Sequence, residues 1–337
     1  MKSSKRSLPA ERRALLAAFA AGGLAPWVAS PARAQAAWPT RPVAMVVGFP
    51  PGGQTDFAGR VVAAGMQGAL GQSVVIENKA GVSGNIAAQE VMRAPPDGYR
   101  LLVGNGAMTI SPHVYTSVQM VDPQKLTPIG VLLQSALMLV VPATSPVKTY
   151  KEFAERAVTQ SKAGKSLDYG SGGIGSLVQV TMELLSERLG VKLNHVPYKG
   201  SSPAMIDLVA GRIDAMFDAA SVVAPFVKSG QLRPLFATGS QRVPAFPDVP
   251  IAAEAGLKDF EVISFIGLYG PPGLKGDIVT KVNAAMNTAL KDPGVIKNIT
   301  DRGDEPGGGT PEDLANLTRV HYKMWGEVVK ANNIRAD

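Results

Sequence analysis

The sequence predicts an α/β fold built as two lobes, joined by a hinge of two crossing strands, with a ligand cleft between them. Three observations lead there. Short β-type apolar runs alternate with segments of helical period along most of the chain, the pattern of repeated βα units and parallel sheets. Two longer apolar runs, Ile129 to Val141 and Glu261 to Tyr269, each leave one set of βα units and enter another. Glycine-rich loops stand at strand-to-helix turns in both sets.

The first 36 residues read as an export signal rather than as part of the fold. Lys2, Lys5, Arg6, Arg12 and Arg13 precede the uncharged stretch Ala14 to Ala25, and Ala32-Arg33-Ala34 or Ala34-Gln35-Ala36 supplies a small-x-small cleavage pattern. A membrane anchor needs ~20 apolar residues, and this stretch is shorter and interrupted by Gly22 and Gly23. Arg12-Arg13 before Ala14-Leu15-Leu16 fits a twin-arginine route as well as the Sec route. The expected location is the periplasm.

Charge and composition exclude several functions. The chain has a formal charge of +7, but six Lys/Arg and one acid lie in the leader, so the remainder carries +2. A nucleic-acid partner loses its support, whereas an anionic small molecule stays compatible. There is no cysteine, which rules out disulfides, thiolate metal sites and Cys nucleophiles. About 300 remaining residues bury a large core, usually divided between two domains.

The elements follow in order. Val43 to Phe49 is a strand candidate, Asp56 to Leu70 a helix capped by Thr55 with Phe57, Val61, Ala64 and Gly68 on one face, Ser73 to Asn78 a strand, Asn85 to Met92 a helix and Arg100 to Val103 a strand. Beyond the crossing at Ile129 to Val141 come a helix at Tyr150 to Gln160, a strand at Leu167 to Tyr169 and a helix at Leu177 to Leu189. Strands at Val191 to Val196 and Ile213 to Phe217 flank a helix at Pro203 to Ala210, with Ser202 as its cap. Asp277 to Lys291 and Pro311 to Asn332 close the chain as helices. The first lobe is therefore expected to be discontinuous, residues 37–140 and 264–337, with residues 141–263 forming the second.

The chemistry lies in the loops. Pro50-Pro51-Gly52-Gly53-Gln54-Thr55 joins a strand to a helix beginning at Asp56, so free N–H groups and the positive helix end face the carboxyl edge of a sheet, where open α/β sheets bind anions. An ordinary tight βα turn is the alternative. Neither GxxxxGK[ST] nor GxGxxG occurs in this loop, so a carboxylate fits better than a nucleotide phosphate. Gly170-Ser171-Gly172-Gly173-Ile174-Gly175-Ser176 repeats the device in the second lobe, and two such loops, one per lobe, point to a cleft that closes on a ligand. Tyr198 is expected to wall this cleft. Lys199 either pairs with a ligand acid or solvates a turn. Asp218, at a strand end, accepts from a ligand amine or hydroxyl or caps the next turn. Gly104-Asn105-Gly106-Ala107 ends another strand at the first lobe's edge.

Catalytic patterns are thin. His113, His195 and His321 are the only histidines, neither HExxH nor GxSxG occurs, and each histidine reads as a structural residue. Asp301, Asp304 and Glu305, beside Pro306 and three glycines, read as a solvated turn and not as a metal site. No cofactor is implied.

Taken together these stretches resemble the Bug-type extracytoplasmic solute receptors of tripartite tricarboxylate transporters. The resemblance rests on Trp38-Pro39-Thr40-Arg41-Pro42, Phe49-Pro50-Pro51-Gly52-Gly53 with Asp56, Glu77-Asn78-Lys79-Ala80-Gly81 with Gly84-Asn85-Ile86, and Pro96-Asp97-Gly98-Tyr99. It continues through Tyr169-Gly170-Ser171, Gly175-Ser176, His195-Val196-Pro197-Tyr198-Lys199-Gly200, Pro247-Asp248-Val249-Pro250 and Ala253-Glu254-Ala255-Gly256. Val121 to Thr127 keeps only part of the family's Tyr-Asp-Pro segment, and Phe265 stands where Trp is frequent. The resemblance implies a type II periplasmic-binding-protein fold and a non-enzymatic, monomeric receptor. Its ligand would be a di- or tricarboxylate, an acidic amino acid or an aromatic acid, delivered to membrane transporter subunits; a periplasmic sensor is the alternative. A secreted hydrolase or isomerase of small carboxylates lacks a legible base and nucleophile. The candidate ligand-binding residues are Phe49, Pro51, Gly52, Gly53, Thr55, Asp56, Gly84, Asn105, Gly106, Ala107, Ser171, Gly172, Gly175, Ser176, Tyr198, Lys199 and Asp218.

Overall fold

The computed structural model describes residues 38–198 and 200–336, so the expected leader and Lys199 lie outside the described residues. The first βα units are β1 (Val43–Val47), α1 (Gln54–Leu70), β2 (Val74–Asn78), α2 (Asn85–Met92), β3 (Arg100–Asn105) and α3 (Ala107–Val114). β2, β1 and β3 are parallel neighbours. Their carboxyl ends therefore deliver the following loops to one edge, which is the first requirement for a site.

The crossing strand β4 (Thr127–Pro142) is 16 residues long, about 53 Å at ~3.3 Å per residue. Its first half pairs antiparallel with β9 (Ile263–Gly270), which in turn pairs with β3. Its second half pairs with β7 (Ala215–Ala219) and β8 (Leu232–Ala237). β7 continues in parallel to β5 (Asp168–Ser171) and then β6 (Asn194–Pro197). A single strand thus belongs to both halves of the sheet, because nearly every side chain from Ile129 to Pro142 is buried and neither face meets water.

Helices α4 (Tyr150–Lys162), α5 (Leu177–Leu189), α6 (Ser201–Val209) and α7 (Ala220–Lys228) cover the second half. The chain closes with α8 (Gly276–Ala289), α9 (Pro293–Thr300), β10 (Glu305–Gly308) and α10 (Pro311–Ala331). α10 reaches from one half to the other. Leu314 packs with Leu102, Met108 and Tyr269, whereas Trp325 and Val328 share a core with Leu139, Tyr169 and Phe217, which Ile110 and Val114 of α3 also enter.

Several local expectations need correction. The buried face of α1 is Thr55, Ala58, Gly59, Val62, Ala63, Met66 and Leu70, not the Phe57, Val61, Ala64 and Gly68 stripe. Small residues at 58, 59 and 63 let the helix lie close on the sheet, while Phe57 is covered instead by the Arg302 guanidinium, 3.8 Å from its ring centroid. Thr55 and Ser202 are inside their helices, which begin after Gly53 and Gly200. The turn at 301–304 is not fully solvated: Asp304 is 2% exposed.

Candidate functional site

The loop Phe49–Gly53 is held in shape by Asp56, itself only 3% exposed. One carboxylate oxygen accepts from the Gly52 N–H and from Arg60 Nε, each at 2.9 Å. The other accepts from Asn78 Nδ2 at 2.8 Å, and the same amide donates to the Phe49 carbonyl at 3.0 Å. Burial alone would raise the Asp56 carboxyl, but the bonds from Arg60, Gly52 and Asn78 outweigh it and hold the group below the usual carboxylate range. The role of Asp56, open in the sequence, is here that of the loop's anchor.

The adjoining turns are tied to this loop by polar contacts of the same kind. Asn105 donates to Thr55 Oγ1 at 3.2 Å and accepts from the Ala107 N–H at 3.1 Å, which binds the start of α3 to the start of α1. Gly84 packs on the Phe49 ring, so close that a Cβ there would lie 3.1 Å from it. Phe49, Pro51, Gly52, Gly53, Thr55, Asp56, Gly84, Asn105, Gly106 and Ala107 thus belong to one connected set of turns. The first N–H groups of a helix have no intrahelical acceptor, and the helix dipole makes that end positive.

The second half supplies the opposing set. Ser171 Oγ is 2.6 Å from His195 Nε2 and accepts from the Gly173 N–H at 3.1 Å. Burial pushes His195 down to about 4, so its ring, stacked on Tyr169 with centroids 4.9 Å apart, is neutral. Ser176 caps α5 by accepting from the Gln179 N–H at 3.4 Å, and the Gln179 side chain accepts from the Gly175 N–H at 2.7 Å. Tyr198 donates its N–H to the Ser171 carbonyl and its hydroxyl to Asp207 at 2.7 Å. Gly172 accepts from the Gly200 N–H at 3.1 Å. These bonds leave the N–H groups of Leu177 and Val178, in the first turn of α5, without an intrahelical partner.

Asp218 differs from the rest. It is 6% exposed, one oxygen accepts from the Ala219 N–H at 2.8 Å, and the other has no partner at full hydrogen-bond geometry among the described residues. Burial pushes it up to about 6, only partly offset by the Ser201 hydroxyl and the Ala219 N–H.

The two sets meet. A Cβ on Gly106 would stand 3.9 Å from both Leu177 Cδ2 and Phe265 Cε1, and one on Gly175 would stand 3.0 Å from Val114 Cγ1. Gly175 also has φ +75°, a region that L side chains avoid, so glycine is required there twice over. Residues that sequence reasoning left out of the site are Leu177 and Val114, which make this junction, and Gln54 and Ser221, 3.4 Å apart across it. Arg60 and Asn78, which hold Asp56, were also missed, although the i,i+4 spacing of Asp56 and Arg60 was a usable signal.

Among the described residues no group of three or more His, Cys, Asp or Glu is placed to hold a metal ion, and no helix is long and apolar enough to cross a membrane. Two sheet halves sharing a crossing strand, with helix N-termini converging from both, define the fold of periplasmic binding proteins. The chain belongs to the TctC family, described as the tripartite tricarboxylate transporter family receptor, whose model matches residues 58–334. It is 34% identical over 302 residues to a UPF0065 protein in the tcbD-tcbE intergenic region of Pseudomonas sp. strain P51, covering 89% of each chain. Among solved structures it is similar to R. palustris Rpa4515 with adipate, at 33% identity and TM-score 0.79, covering 89% of this chain and 100% of that one. It is also similar to MatC from Rhodopseudomonas palustris with bound malate, at 34% identity and TM-score 0.74, covering 86% and 99%.

Proposed function

We propose that this protein is a periplasmic receptor that captures a small carboxylate, foremost a dicarboxylate, in the cleft between its lobes and delivers it to membrane transporter subunits. The observation that carries the reading is the convergence of the first turns of α1, α3 and α5 from opposite sides of the Gly106–Leu177 junction. Each brings main-chain N–H donors and a partial positive charge, the requirements of an anion. The neighbours with adipate and malate support the dicarboxylate class.

In this reading the carboxylate is held by the backbone of Gly52 to Thr55, Gly106 to Ala107 and Gly175 to Val178, while Phe49, Pro51 and Gly84 shape the wall. Ser171, Gly172, Ser176, Tyr198 and Asp56 fix the loops, and Asp218 offers its free oxygen to a hydrogen-bond donor. Lys199 is proposed as a further contact from the sequence alone. The lobes are residues 37–140 with 264–337, and 141–263. The shared packing of Val114, Trp325 and Val328 with the second lobe's core makes α3 and the end of α10 part of the hinge surface. Residues 1–36 are proposed as the cleaved leader.

A thermal-shift screen of the purified protein against adipate, malate, citrate, aspartate and benzoate tests the proposal. A ligand at 100 times its Kd adds about 2.7 kcal/mol and raises Tm by several degrees. No shift with any of them overturns the carboxylate reading.

A further inference from the structure

The turn joining α9 to β10 is wedged between the two lobes. Gly303, with φ +84°, presents its Cβ position 3.7 Å from the backbone of Ala220 and Ser221 at the start of α7. Arg302 lies over Phe57 in α1. Between them Asp304 is buried, and one of its oxygens accepts from Gln54 Nε2 at 3.0 Å. That same amide stands 3.4 Å from Ser221 Oγ. Gln54 opens α1 in the first lobe and Ser221 lies in the first turn of α7 in the second, so this carboxylate completes a direct polar link across the cleft. Its other oxygen has no partner at full hydrogen-bond geometry among the described residues, although the Ser221 and Ser135 hydroxyls lie near enough to act on the carboxylate.

A carboxylate buried with an empty oxygen is costly as an anion and far less so as an acid, whose O–H can donate to a neighbouring hydroxyl. The groups acting on it from the surrounding elements are Ser221 of α7, Ser135 of β4 and Gln54 of α1, all neutral, and Arg302 of its own turn is the one charged group among them. We propose that Asp304 is a positioning residue for lobe closure, clasping Gln54 and Ser221 in the closed form and taking up a proton as it is buried. The inference rests on the cleft reading but not on the identity of the ligand.

The direction follows from the states compared. With the lobes apart Asp304 meets water and titrates as an ordinary carboxyl; in the closed form burial raises it. Closure is then easiest below the ordinary value and becomes harder as pH rises through the closed-state value. One proton taken up per closure makes the closed-to-open ratio fall by up to about tenfold per pH unit inside that window.

The chain has no cysteine, so Gln67→Cys and Glu187→Cys, on exposed positions of the two lobes, accept spin labels without further change. Distances between the labels are measured by pulsed electron resonance at pH 5 and pH 8 with no carboxylate ligand added. The expected result is a larger short-distance population at pH 5 than at pH 8. Asp304→Asn, which keeps shape and acceptor but cannot titrate, removes the pH response and stays closed, while Asp304→Ala opens at both values. An unchanged distribution between pH 5 and pH 8, or an equal pH response in Asp304→Asn, overturns the proposal. Because no ligand is present, neither outcome depends on whether the carboxylate reading holds.

Discussion

Replacing Asp56 by alanine removes four bonds at once and tests whether a buried carboxylate, rather than the prolines, sets the shape of the first binding loop. Its partners are the Gly52 N–H, Asn78 and, through both oxygens, Arg60. Hydrogen bonds to a charged group contribute ~1.5–3 kcal/mol each. The Arg60 share is reduced because that side chain is 51% exposed. The backbone and Asn78 bonds dominate, and some relaxation of the loop offsets part of the loss, which leaves roughly 2–4 kcal/mol. For a protein of this size that lowers Tm by about 3–6 °C. The variant should fold, melt early in a calorimetric scan, and bind adipate or malate more weakly than the parent because Gly52 and Gly53 lose their fixed direction. The pH dependence gives a second readout. Since the folded-state carboxyl lies below 3.8, its contribution is complete above the unfolded value and is lost as pH falls through the folded one. The alanine variant should therefore differ from the parent at pH 7 and converge with it in strong acid. A variant that melts within 1 °C of the parent at pH 7 and binds equally well refutes the anchor role.

Three further predictions follow from the same geometry. Gly106→Ala should be near neutral, because its Cβ meets Leu177 and Phe265 at an ordinary 3.9 Å, whereas Gly106→Leu fills the junction and should weaken carboxylate binding at least about tenfold with little change in Tm, as read by calorimetric titration. Ser176→Ala removes the cap of α5 and should cost about 1 kcal/mol in urea unfolding while weakening adipate binding; unchanged affinity removes Ser176 from the site. His321 is 7% exposed and burial pushes it down to about 4, so stability should fall as pH drops from 6.5 toward 4, when the unfolded chain takes up a proton that the folded one refuses. The slope is at most about 1.4 kcal/mol per pH unit, and it should diminish in His321→Gln if urea midpoints are compared at pH 7.5 and pH 5.

Much of the fold was legible because it rests on local pattern. The helices Asn85–Met92 and Leu177–Leu189 emerged with their observed bounds, and the crossing strand β4 was visible as an apolar run too long for an ordinary edge, while the second apolar run became β9, paired with β3 and the first half of β4. Helices α3 and α7 were not expected; each is short and carries a proline past its first turn, Pro112 and Pro225, where proline removes an intrahelical hydrogen bond and weakens the helical pattern. The strand β10 reads as Glu-Pro-Gly-Gly, and only pairing with the long β4 makes it extended. The loops of the candidate site were legible as glycine-rich turns after strands. What was not legible was long-range: Asp304 is 250 positions from Gln54, and nothing in its neighbours distinguishes a buried link from a solvated turn.

If main-chain donors from both lobes hold a carboxylate, as proposed, calorimetric titration of adipate against its diamide will separate charge from shape. The two molecules share length and shape, but only adipate carries the negative charge that the helix ends favour. Adipate should bind saturably, or malate should if the cleft is too short for adipate, with the matching diamide at least about a hundredfold weaker. Equal binding of acid and amide, or no binding of any carboxylate, would contradict the proposal.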